Sequence, residues 1–174
     1  MAAVAFNAAA DAVTGFELIK EGNKYVGHPS KDKVIALRSE KSIGETTPKI
    51  WNVIYFDPTA TFKTTRVKLV DGQMTEVKRP MRLGVNLTPM DNDKLKVDSD
   101  RALAVALKEP MLGKLVVKAT EITLENDDNG PTWKIKLWVT KFSDTTKLVE
   151  IGEVQVSAES GKILKNDLHL NRAS

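Results

Sequence analysis

The 174-residue chain has no cysteine, only two histidines and no glycine-rich phosphate loop. Without cysteine there are no disulfides, thiolate metal ligands or cysteine nucleophiles. His28 and His169 lie far apart, neither at the short spacing of a metal or catalytic motif, and both read as solvated loop or edge residues. No apolar run approaches the ~20 residues of a membrane span. Met1 to Ala10 lacks the basic start and the apolar stretch of a signal peptide, although its alanines are compatible with the remnant of a removed export signal. A dominant charge is also missing. Residues 1–90 carry 13 basic and 9 acidic side chains and residues 91–174 carry 13 and 14. Acids interleaved with the lysines argue against the concentrated basic footprint by which phosphate backbones are bound.

The chain does have the composition of a soluble globular protein, 41% hydrophobic and 28% charged. At this length it buries roughly 70% of its extended surface, enough for a real core. Val13, Phe16, Leu18 and Ile19 recur at helical spacing and predict an amphipathic helix from Asp11 to about Val26, ending by Gly27 before His28-Pro29. Strands follow over 33–39, 50–56, 62–70 and 74–78, the last two joined by the tight turn Asp71-Gly72. Residues 84–98 form a linker. Asp98 or Ser99 then caps a helix over 101–108, and strands follow over 115–125, 132–141, 151–157 and 162–168.

A helix followed by four strands thus occurs twice. Trp51 and Trp133 hold matching places, and both are expected as core anchors: Trp51 shares a face with Val53 and Tyr55, Trp133 with Ile135 and Leu137. Aligning Gly72 with Gly161 places Val67 over Val156. The pattern predicts a duplicated α+β module whose units join edge to edge or face to face.

Trp133-Lys134-Ile135-Lys136-Leu137-Trp138, followed by Glu153-Val154-Gln155-Val156-Ser157-Ala158-Glu159-Ser160-Gly161-Lys162-Ile163-Leu164, resembles the PepSY motif of peptidase propeptides. The likeness covers about residues 97–170, and a degenerate copy covers about 11–80. Ser157 replaces the usual acidic residue, and Val70-Asp71-Gly72-Gln73 replaces the motif in the first copy. The resemblance implies two cystatin-like units in tandem, each a helix on a four-stranded antiparallel sheet, over residues 1–83 and 99–174. It also implies a periplasmic or secreted bacterial protein that binds or restrains partners, with no catalytic residue, cofactor or metal.

Three functions are therefore weighed. The first is a non-catalytic binding or assembly module that contacts protein or peptide, or its own copies, through a sheet face or edge in the cell envelope. The others are a small-molecule binder with a curved-sheet pocket and a peptidase inhibitor of propeptide type. Trp138 points opposite to Trp133, beside Lys134 and Lys136, and is expected either to lie under an inter-module contact or to dock a partner. Lys63, Arg66, Lys68, Lys78, Arg79 and Arg82 make a basic end of the first unit. Candidate partner contacts are Trp138, Lys134, Lys136, Arg66 and Lys68. Two acidic stretches read as structural. Glu125 to Gly130 matches the start of a calcium loop, but its twelfth position is Lys136 and it reads as a hairpin turn; Asp91, Asp93, Asp98 and Asp100 read as linker and helix cap.

Overall fold

The computed structural model describes residues 12–81, 84, 86–113 and 115–173. Arg82 and the alanine-rich start lie outside the described residues.

The fold is α+β, with one eight-stranded antiparallel sheet and two short α-helices among the described residues. Helix α1 spans Gly15–Gly22 and strands β1 to β4 span Val34–Ser39, Ile50–Phe56, Thr64–Val70 and Gln73–Lys78. Helix α2 spans Ser99–Leu107 and strands β5 to β8 span Val117–Asp127, Gly130–Thr140, Leu148–Ser157 and Ile163–Leu168. The order across the sheet is β4-β3-β2-β1-β5-β6-β7-β8. The two sets of four strands therefore share one sheet, joined where Ala36, Leu37 and Arg38 face Glu125, Leu124 and Thr123.

Period-two alternation puts Trp51, Val53 and Tyr55 of β2 and Trp133, Ile135, Leu137 and Val139 of β6 on one face, all in a single core with Leu18 of α1 and Ala102, Leu103 and Ala106 of α2. Both helices cover this inner face. Each tryptophan is buried and each indole N–H donates to a backbone carbonyl, Trp51 to Pro48 at 2.9 Å and Trp133 to Val97 at 2.7 Å. Such a bond removes the penalty of burying the indole's polar edge.

The residue-by-residue match of the two hairpins needs correction. Trp51 faces Leu69, which faces Met74; Trp133 faces Val156, which faces Ile163. The equivalent of Val156 is Leu69, whereas Val67 faces Val53. Alignment on the turn glycines misses this because the Ser157–Lys162 connection is longer than the tight Asp71-Gly72 turn.

The first helix begins at Gly15 rather than Asp11. Thr14 and Glu17 form a capping box that ends extended chain at Thr14, so Val13 precedes the helix. The next amides are capped across the sequence: the Ser99 hydroxyl accepts from Gly15 N at 2.8 Å, and Asp98 Oδ1 accepts from Phe16 N at 3.0 Å while capping its own helix through Ser99 N. The predicted linker carries buried Met90 and Val97, and Val97 N donates to Ala158 O. The third strand starts at Thr64, not Phe62, because Lys63 adopts a left-handed φ of 58° and the chain bonds back through a turn to Asp57.

Candidate functional site

The outer face carries no α-helix among the described residues. At its centre, Glu125 sits 3.4 Å from Arg38 and 2.8 Å from Lys134, and Lys136 sits 2.9 Å from Glu121. These groups line a shallow hollow of about 280 Å³. Burial alone would raise the Glu125 carboxyl, but the hydrogen bond from Lys134 and the charges of Lys134 and Arg38 outweigh it and hold the group below its ordinary range. Lys134 and Lys136 are raised in turn, chiefly by their hydrogen bonds to Glu125 and Glu121. Each of these charges has an opposite one within 3.4 Å, with Arg38 and Lys134 sharing Glu125, which leaves a ladder of ion pairs across the face.

Trp138 stands beside this ladder, half-buried, facing Ala119 on one strand and Glu150 on the other. Lys41, in the connection after β1, places its Nζ 5.1 Å from the Trp138 ring centroid, a cation–π contact. That connection is fixed to β5, because Ser42 N donates to Thr120 O and the Ser42 hydroxyl accepts from Thr120 N. Toward the same end of the sheet, Ile43 is 90% exposed, Val116 61% and Phe142 68%. Lys41, Lys118 and Lys141 form no salt bridge among the described residues, in contrast to the paired charges of the ladder.

The sequence candidates therefore fall into two groups. Trp138, Lys134 and Lys136 share β6 and the outer face, whereas Arg66 and Lys68 lie on β3, four strand positions away and so about 19 Å distant. Arg66 is held by Glu76 at 2.5 Å and Lys68 by Glu40 at 2.7 Å. Lys78 and Arg79 are likewise paired, with Glu76 and Asp57, so the predicted basic end is largely neutralised among the described residues. Lys41, Lys118 and Lys141 were not singled out in the sequence. Nothing local marks them, since only the pairing of β1 with β5 brings Lys41 over Trp138.

The other polar stretches have structural employment. Asp127 Oδ1 accepts from Asn129 N and from the Thr132 hydroxyl, closing the turn between β5 and β6. Asp91 accepts from Asp93 N, and Asp98 caps both helices. His28 opens an exposed 3-10 turn, and His169 Nε2 lies 3.2 Å from Asp167. On the inner side, an open groove of about 370 Å³ lies between the start of α1 and Trp51, bordered by Val13, Leu18, Pro48 and Lys49.

Neither the family models, nor the curated proteins, nor the solved structures include a match to this chain.

Proposed function

We propose that this chain is a non-catalytic binding or assembly module that contacts a protein or peptide through the outer face of its sheet. The observation that carries the reading is Trp138. It is a half-buried aromatic on the face that carries no α-helix among the described residues, with Lys41 over its ring and with Ile43 and Val116 exposed toward the same end of the sheet. Interface centres are enriched in aromatic residues.

The strand order and the matching Trp51 and Trp133 rungs support a further reading, that the chain is two PepSY-like units joined edge to edge at β1 and β5. With it comes a place in the bacterial envelope, which cell fractionation with an antibody to the chain tests directly. The binding reading is tested by capture with the tagged full-length chain from an envelope extract, compared with Trp138→Ala. A partner retained by the first and lost by the second, at matched thermal stability, supports it. Equal retention by both, or a monomer that retains nothing, refutes it.

A second reading, small-molecule binding, rests on the groove beside Trp51. Its volume lies at the lower end of ligand pockets. A saturable change in tryptophan emission on titration with an apolar dye, abolished by Val13→Asp, supports this alternative.

A further inference from the structure

We infer that two copies of this chain pair through the outward edge of β8, antiparallel about a twofold axis at Asn166, so that one sheet runs through both. This surface is separate from the outer face and does not depend on the binding reading. Strand β8 ends the sheet, so one side of its backbone has no neighbouring strand among the described residues. The bonds to β7 identify the groups left over. His169 N donates to Ile151 O, and bonded residues alternate along an antiparallel ladder. Asp167 and Lys165, opposite Glu153 and Gln155, are therefore the residues bonded to β7, while the N–H and C=O of Asn166 and Leu168 turn away from it. The following turn, Leu170–Ala173, does not cover them. It packs back against β7, with Ala173 in the core and its carbonyl accepting from Phe142 N.

Charge selects a second copy and fixes its register. Outward groups must meet outward groups, so an edge of this length has few ways to pair with itself. Setting Lys165 opposite Lys165, or Asp167 opposite Asp167, puts like charges directly across from one another. Setting Asn166 opposite Asn166 instead places each Lys165 across from Asp167 of the second copy, twice over, and Leu164 across from Leu168. Within one chain Lys165 Nζ lies 3.8 Å from Asp167 and the two side chains stay 59% and 52% exposed, so each ammonium gains a second carboxylate without giving up the first. Ile163 and Leu164, each 39% exposed at the same edge, add apolar area. The opposite edge is not built this way. In β4 the register shifts at Thr75, in the middle of the strand, and Glu76, its one carboxylate, is already held by Arg66 and Lys78 at 2.5 and 2.6 Å. In β8 the shift falls at Leu164 and leaves residues 165–168 regular.

Sedimentation velocity of the full-length chain over a range of concentrations should show a monomer–dimer equilibrium. Lys165→Asp and Asp167→Lys each set like charges across the axis and should each weaken the dimer about tenfold or more. An equimolar mixture of the two should restore it, because opposite charges then meet at every position. Both residues are exposed, so the substitutions leave the core untouched. The absence of cysteine lets disulfides report the register. Lys165→Cys mixed with Asp167→Cys should crosslink on oxidation with copper phenanthroline, since the two sites face each other with Cα atoms about 4.5 Å apart. Either variant alone should not crosslink, because each site then lies about 8 Å from its own copy, beyond disulfide reach. A chain that stays monomeric up to about 1 mM overturns the inference. So does a dimer that neither reversal weakens, a mixture that fails to recover it, or a cysteine variant that crosslinks to itself as readily as the mixture does.

Discussion

Replacing Asp98 by Ala tests how the two helices are held together. One oxygen of Asp98 accepts from Ser99 N at 2.6 Å and from Phe16 N at 3.0 Å, so the substitution leaves a free amide at the start of both helices. Losing an N-cap costs about 1 kcal/mol. Two helix starts lose an acceptor here, and both lose the negative charge that faces their dipoles, so a destabilisation of roughly 2 to 3 kcal/mol is expected. Asp98→Asn keeps an acceptor and should cost about half as much. Ser99→Ala removes only the acceptor for Gly15 N and should cost about 1 kcal/mol. Urea unfolding followed by far-ultraviolet circular dichroism measures all three. Because Asp98 reaches across to α1, its coupling to Phe16 should appear as lowered stability of the whole sheet in one transition. A loss below about 0.5 kcal/mol for Asp98→Ala, or a second transition in which the α1 half melts alone, refutes the reasoning.

Three further outcomes follow from the packing. Gly152 has φ of +125°, and a Cβ added there would lie 2.0 Å from the Asp167 carbonyl oxygen on β8; Gly152→Ala should therefore cost about 3 kcal/mol or more, read as a fall in melting temperature. Trp133→Ala empties a fully buried site and strands the Val97 carbonyl, for an expected loss of about 3 to 5 kcal/mol in urea unfolding, where a loss under about 1 kcal/mol contradicts its place in the core. Burial pushes the Asp57 carboxyl up, yet hydrogen bonds from Thr65 and Thr59 and the charge of Arg79 prevail and hold it at about 2 against an ordinary 3.8. A depressed carboxylate stabilises the fold above its unfolded value, so about 2 kcal/mol should be present above pH ~4 and lost as the pH falls toward 2. Urea midpoints measured from neutral to acid pH should show this loss in the native chain but not in Asp57→Asn, and equal acid sensitivity contradicts the assignment.

Much of the sheet was legible because its determinants are local. The β2 strand, Ile50–Phe56, follows from a run in which only Asn52 is neither apolar nor aromatic, and the Asp71-Gly72 turn follows from two residues that tolerate left-handed backbone, with φ of 48° and 77°. Errors arose where one residue's side chain or backbone overrides a periodic pattern. Val13 is in phase with Phe16 and Ile19 but lies outside α1 because Thr14 and Glu17 cap it, and Phe62 is excluded from β3 by the left-handed Lys63. Superposition on Gly72 and Gly161 failed because connection length, not glycine position, sets the rung opposite each tryptophan. Of the candidate contacts, Trp138, Lys134 and Lys136 could be grouped from alternation along one strand. The separation of Arg66 and Lys68 from them, and the arrival of Lys41 over the indole, depend on β1 pairing with β5, a contact between distant parts of the chain that no local signal encodes.

Site-specific photocrosslinking tests the binding claim most directly. A photoreactive residue placed at Val116, 61% exposed at the Trp138 end of the sheet, is compared in living cells with one at Val77, 42% exposed on the far edge strand β4. The account predicts a discrete adduct of the chain with a protein partner from position 116 and none from position 77. Absence of an adduct at 116, or the same adduct from both positions, contradicts it.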